Sequence, residues 1–244
     1  CTAGDFKSLN LVEKFKMPAI KISSGLMTNI PLVTKASKAG LPMIISTGMA
    51  FKKEIIDILT IVKKYNKSGT ALLKCTSLYP APDDTINLLA IDNFIKTFNV
   101  PIGYSDHSKD ELPSLLAVSL GAKIIEKHFT LNKRQQGPDH KFSLEPKEFR
   151  NLVSNIRRVE KLMGKFTIKP DDKEINNREK NYRKILAIKK IMKNEKLTIF
   201  NVGLKRTLNF KNGLSSKFFN KILGKKAKKI INTDEHILFS KIKK

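Results

Sequence analysis

His107 and His128 stand 21 residues apart, the length of one strand-and-helix unit, and two imidazoles at such a spacing could be brought together to hold a divalent cation. Taken singly, each has a plainer structural reading. His107 follows Asp106 just before a helix pattern, where capping is the ordinary role, and a lone histidine within Glu126 to Thr130 could be a hydrogen-bonded core side chain. Glu126 lies two residues before His128, so in an extended strand the two face the same side. A carboxylate so placed could orient a water or sit in an ion pair. Groups of small polar residues recur along the same stretch: Ser23-Ser24-Gly25, Ser46-Thr47-Gly48, Thr76-Ser77, Ser105-Asp106-His107 and His128-Phe129-Thr130. Any one serine before a helix is an ordinary N-cap, whereas a ring of them beside the cation Lys21 is a set of donors suited to phosphate and carboxylate.

The rhythm of the chain supplies the elements that could gather these residues. Between residues 20 and 130 short apolar runs alternate with amphipathic helix patterns, the signature of βα units and a parallel sheet. The strands are expected at Ala19 to Ser23, Pro42 to Ser46, Ala71 to Cys75, Pro101 to Ser105 and Lys123 to Phe129. Helices are expected at Leu9 to Phe15, at Phe51 to Lys64 with Ile55, Ile58, Leu59 and Val62 on one face, at Asp83 to Phe98 with Ile86, Leu89, Phe94 and Ile95, and at Leu112 to Leu120. Every small polar group then falls at the carboxyl end of a strand, where parallel α/β folds build their sites. Periodicity leaves open whether the sheet is doubly wound or part of a barrel. After Lys165 the rhythm stops; residues 165–184 read as a linker and 185–244 as a small separate module, strand-like at Ile185 to Ile191, with a turn at Lys193 to Lys196 and no repeat of fixed period.

Composition narrows the class. No apolar run approaches the ~18–20 residues a membrane-spanning helix needs, and the first residues lack the layout of a signal peptide, so a cytoplasmic protein away from the membrane is expected. The two cysteines, Cys1 and Cys75, have no paired or metal-type spacing; Cys75 reads as a small core residue, and His140 and His236 as structural. The net charge of +25 raises the prospect of a polyanion partner, yet only seven of the 47 basic residues are arginine, which favours a solvated lysine surface over nucleic-acid binding. Residues 165–244 hold +16 of that charge, consistent with a boundary near residue 164.

Six motifs in order give the reading a name. Lys21-Ile22-Ser23-Ser24-Gly25, Ile45-Ser46-Thr47-Gly48-Met49, Cys75-Thr76-Ser77-Leu78-Tyr79-Pro80-Ala81-Pro82, Gly103-Tyr104-Ser105-Asp106-His107-Ser108, Glu126-Lys127-His128-Phe129-Thr130 and Gly137-Pro138-Asp139-His140 resemble the N-acetylneuraminate (sialic acid) synthase family. The resemblance implies a (β/α)8 TIM barrel, incomplete here at about strands 4 to 8 over residues 1–164, then a small β-rich antifreeze-like (SAF, β-clip) domain. It implies condensation of phosphoenolpyruvate with N-acetylmannosamine or a related N-acyl hexosamine, and a homodimer with exchanged SAF domains. By the same resemblance His107 and His128 bind Mn2+ or Mg2+ and act in catalysis with Glu126. Lys21, Ser24, Ser46, Ser77 and Ser105 bind phosphoenolpyruvate, while Tyr79, Asp139 and Arg206 hold the sugar.

Departures keep rivals in view. Leu26 stands where an acid is common after Ser-Gly, Lys205-Arg206-Thr207-Leu208 lacks the Pro and Gly of the family's turn, and Lys74 replaces a frequent His. A legionaminate or pseudaminate synthase shares the motifs, with Gly137 to His140 followed by Phe142 to Pro146 leaning towards neuraminate or legionaminate. A noncatalytic or polyanion-binding fragment is the rival from another class.

Overall fold

The structure, a computed structural model, describes residues 1–207 and 212–243; Leu208 of the turn motif lies outside them. The chain divides into two compact units, Cys1–Lys165 and Phe166–Lys244.

In the first unit five parallel strands lie side by side in sequence order and curl into a half-barrel: β1 (Ile20–Ile22), β2 (Met43–Ser46), β3 (Thr70–Cys75), β4 (Ile102–Asp106) and β5 (Ile125–Lys127). Thr2 adds a parallel bridge to Lys21 beyond β1. Helix α1 (Phe6–Lys14) precedes β1, and α2 (Ile30–Lys38), α3 (Lys52–Tyr65), α4 (Asp83–Ile86), α5 (Ala90–Thr97), α6 (Leu112–Ser119) and α7 (Pro146–Met163) connect or follow the strands. The core forms between the outer sheet face and these helices, joining Ile20, Ile22, Met43, Ile45, Leu72, Ile102 and Tyr104 to Leu9, Leu32, Val33, Ile58, Val62 and Ile91. α3 buries Ile55, Ile58, Leu59 and Val62, the face its periodicity predicts. Loss of a fully buried isoleucine such as Ile58→Ala would cost about 2–5 kcal/mol.

Several expectations are corrected. The long helix over Asp83 to Phe98 is two short ones, broken at Asn87, whose φ of 47° lies in the left-handed region. That break resets the helical phase: Ile91 is buried, while Leu89 is 76% exposed and Ile95 43%. α2 and α7 were not among the expected helices. The strand over Lys123 to Phe129 is only three residues long, so His128 leaves it at its end, and the stretch expected as a linker contains α8 (Asp172–Asn181).

The second unit pairs β6 (Lys184–Ala187) antiparallel to β7 (Val202–Lys205), with α9 (Phe219–Ile222) following. It closes over its own core of Ile185, Ala187, Ile191, Leu197, Val202, Ile222, Ala227, Ile231, Ile237 and Ile242. It also holds a repeat that the sequence conceals. Ile191 and Ile231, 40 residues apart, exchange both backbone hydrogen bonds at 2.9 Å; the Asn194 amide donates to Ala227 O and the Asp234 amide to Ala187 O. Glu195 accepts from the Met192 amide and Glu235 from the Asn232 amide, each at 2.7 Å. Each of these bonds has its counterpart 40 positions away, the mark of an approximate two-fold axis within the unit.

Candidate functional site

The parallel register places one polar row on the inner face of the half-barrel. Lys21 is opposite Ile44, Ser46 opposite Leu73, Cys75 opposite Ser105, and Ser105 opposite Glu126. Alternation puts the neighbours of these residues into the helix-packed core, so each strand end presents a polar group inward while its next residue anchors the strand.

Lys21 Nζ donates to Ser46 Oγ at 2.8 Å and lies 3.3 Å from Glu126 Oε2, and Ser105 Oγ donates to Glu126 Oε1 at 2.7 Å. Ser24 Oγ accepts the Gly48 amide at 2.9 Å. A Cβ at Gly48 would collide with the hydroxyls of Ser24 and Ser77, so glycine is what lets three loops close on one another. Ser77 Oγ is 4.0 Å from Cys75 Sγ, which in turn is 3.8 Å from His107 Nδ1. Cys75 is buried, as expected of a small core residue, yet it lies outside the helix-packed apolar cluster. It follows Lys74 on a strand of period two and faces the site, where burial raises its thiol pKa but bonding to His107, Ser24 and Ser105 outweighs this and holds it below the ordinary value.

The two histidines meet with ring centroids 5.2 Å apart, Tyr79 lies 4.2 Å from His107 and 5.8 Å from His128, and Phe142 closes on His128 at 5.1 Å. His107 Nδ1 is 2.7 Å from Thr76 O, so it carries the proton as the donor and leaves Nε2 with its lone pair for another partner. His128 Nδ1 is 3.6 Å from Asp139 Oδ2. Burial pushes the His128 pKa down, with His107 adding to the effect. At His107 burial pulls the same way but is outweighed by its bonds to Cys75 and the Thr76 carbonyl.

Of the residues singled out from sequence, Lys21, Ser24, Ser46, Ser77, Tyr79, Ser105, His107, Glu126, His128 and Asp139 all belong to the strand ends and loops of this unit. Arg206 belongs to the second unit and is exposed after β7; Leu26 packs partly buried against the core. His140 bonds Thr130 Oγ1 at 2.7 Å, a structural role. Sequence reasoning passed over Lys127 and gave Asp106 no role, although a Lys and an Asp one residue from each histidine was a visible signal. They form a buried ion pair at 3.0 Å behind the two rings.

Two imidazoles with one nitrogen directed by a backbone carbonyl suit a divalent cation that keeps other positions for water or substrate. Among the described residues no group of three His, Cys, Asp or Glu side chains is arranged to hold a metal.

Residues 1–167 match the NeuB family. The N,N'-diacetyllegionaminic acid synthase of Campylobacter jejuni is 40% identical over 241 residues, covering 97% of this chain and 70% of that protein. The pseudaminic acid synthase of Helicobacter pylori is 35% identical over 228 residues, covering 93% and 66%. The crystal structure of N-acetylneuraminic acid (sialic acid) synthetase from Leptospira borgpetersenii serovar Hardjo-bovis, in complex with citrate, is similar with a TM-score of 0.69 at 40% identity, over 73% of this chain and 62% of that one. The chain thus spans roughly two thirds of the length of these relatives. The family match runs through all five strands, the serine row and both histidines, and this protein belongs to the NeuB family.

Proposed function

We propose that the protein is a sialic acid synthase-type enzyme that joins phosphoenolpyruvate to an N-acyl hexosamine aldehyde, N-acetylmannosamine in the leading reading, giving N-acetylneuraminate and phosphate. The observation that carries this is the inner row itself: Lys21, Ser46, Ser105 and Glu126 linked in one cluster, beside two histidines 5.2 Å apart. In the reaction C3 of phosphoenolpyruvate bonds to the aldehyde carbon, whose π pair moves to the oxygen and takes a proton. Water then adds at C2, and the C2–O bond breaks to release phosphate and leave the ketone.

Lys21 and the hydroxyls of Ser24, Ser46, Ser77 and Ser105 bind the phosphate and carboxylate, which replace the bond between Lys21 and Ser46. Glu126, already placed by Lys21 and Ser105, orients the water and accepts its proton as it adds at C2. His107 and His128 would hold a divalent cation, Mn2+ or Mg2+, which would supply Lewis-acid polarisation of the aldehyde oxygen. Tyr79 stacks beside the pair and, with Asp139, orients the sugar; Arg206 is assigned to the same task.

The five strands correspond in this reading to strands 4 to 8 of a (β/α)8 barrel, and the second unit to an SAF domain over 185–244 after a linker at 165–184. Met49, Phe51 and Leu131, each more than 70% exposed in the loops after β2 and β5, are apolar surface that a second copy would cover in a homodimer in which one copy's SAF domain closes the other's site. The location assigned is cytoplasmic; among the described residues no helix is long and apolar enough to cross a membrane. Legionaminate and pseudaminate chemistry differ only in the sugar and are distinguished by the same assay.

The test is phosphate release from phosphoenolpyruvate with Mn2+ and each candidate N-acyl hexosamine. Release that requires both metal and sugar, and falls in Glu126→Gln, is expected. Release without sugar, or phosphoenolpyruvate binding indifferent to Lys21→Gln, would overturn the reading.

A further inference from the structure

Behind the inner row lies a second polar row on the outer, helix-facing side of the same strand ends. Asp106 precedes His107 and Lys127 precedes His128, so the alternation that turns both histidines inward turns both charges outward. Their side chains are 0% and 1% exposed, and Lys127 Nζ lies 3.0 Å from Asp106 Oδ2. Asp106 also accepts from Ser114 Oγ of α6 at 2.5 Å, from the Ser108 amide at 2.8 Å and from Tyr104 Oη at 3.4 Å. Lys127 donates within reach of Ser108 O at 2.7 Å, Asp110 O at 2.8 Å and Ser108 Oγ at 3.0 Å.

The bonds from Lys127 tie the strand just before His128 to Asp106 and to the segment just after His107, while those from Tyr104, Ser108 and Ser114 fix Asp106 within its own segment. β4 and β5 share ladder pairing only as far as Asp106 opposite Lys127, so backbone pairing ends one residue short of the two rings. Beyond that point the side-chain pair is what holds the two exits together. A charge pair is suited to this because neither partner can drift without leaving the other buried and uncompensated, which makes the arrangement stiff rather than merely stable.

We propose that Asp106 and Lys127 are positioning residues that set the separation and orientation of His107 and His128 for a shared divalent cation. The inference rests on the reading of those histidines as cation ligands given above. Neither residue touches substrate or metal; both act through the rings that follow them.

The experiment uses the full chain, with Mn2+ binding followed by the electron paramagnetic resonance of the free ion, phosphoenolpyruvate binding by calorimetry, and the imidazole nitrogens by 15N NMR without metal. In Lys127→Met we expect Mn2+ affinity to fall at least tenfold, phosphoenolpyruvate affinity without metal to stay within twofold, and His107 to lose its single Nδ1–H tautomer. Ser114→Ala, which removes one bond to Asp106 and keeps both charges, should give a smaller change of the same kind, and it decides the matter if Lys127→Met does not fold. Parent-like Mn2+ affinity and tautomer in a folded variant would overturn the proposal, as would equal loss of both ligands, the result of general loosening. If Mn2+ binding by the parent survives His107→Ala, the cation reading itself has failed, and the NMR result alone then decides whether the pair positions the rings.

Discussion

Each serine of the inner row has an ordinary local role available to it, and only the register of five strands shows that they converge. Ser24 illustrates why sequence alone could not tell: its hydroxyl caps no helix but accepts the Gly48 amide from the next loop. Lys21 is different, because a cation between Ile20 and Ile22 on a buried strand must find a partner on the opposite face, and its type already signals a site. We expect Lys21→Gln to weaken phosphoenolpyruvate binding about 10- to 100-fold, the worth of one charge-assisted hydrogen bond, as read by calorimetry. On the proposed reading of the pair as cation ligands, His107→Ala and His128→Ala should each reduce Mn2+ affinity at least about tenfold. Unchanged affinity in both would remove the cation from this pair. What the sequence hid at this scale was Asp106 with Lys127, because a charged residue next to a histidine reads as surface until burial is known.

Among the elements, legibility followed periodicity. α3 has a clean apolar face and was readable; α5 was mis-phased because a left-handed Asn87 leaves little trace in hydropathy. α7 was missed although its start carries strong signals. Pro146 occupies the first turn, the Glu145 amide donates to Glu148 Oε2 at 2.9 Å, and Lys133 Nζ bonds Glu148 Oε1 at 2.6 Å. The bond from Lys133, then the Glu145 amide, holds the Glu148 carboxyl below its ordinary value of 4.5. A carboxyl depressed by folding adds stability that is present above the unfolded value and lost as pH falls through the lower folded one. Glu148→Gln should therefore lower stability by about 0.5–1 kcal/mol at pH 7, a modest figure because the group is well exposed to solvent. The gap from the parent should close on acidification below the carboxylate range. Thermal unfolding of both proteins between pH 7 and pH 3 checks this, and a gap that widens in acid would contradict it.

At the scale of the whole molecule, two construction principles sit in one chain. The first unit is a succession of βα steps, each legible because strand and helix differ in period. The second closes on itself about an approximate two-fold axis that pairs residues 40 apart, and it escaped sequence reading because between positions 187 and 227 and onward the aligned residues agree mainly at Ala187/Ala227, Lys189/Lys229, Ile191/Ile231 and Glu195/Glu235. Backbone bonds carry the symmetry, so side chains were free to diverge wherever they did not fill the shared core. Ile191 and Ile231 meet at the centre, both fully buried and bonded to each other through both amides. Equivalent surroundings predict equivalent costs: Ile191→Val and Ile231→Val should each destabilise the second unit by about 1 kcal/mol. Because the two residues are in contact, the double variant should depart from additivity by about 0.5 kcal/mol or more. Native-state hydrogen exchange of the Leu197 and Ile237 amides in the full chain reads this opening without requiring the two units to unfold together. Strongly unequal effects of the two single substitutions would mean that the axis is a feature of the backbone alone and that the two halves of the core carry different loads.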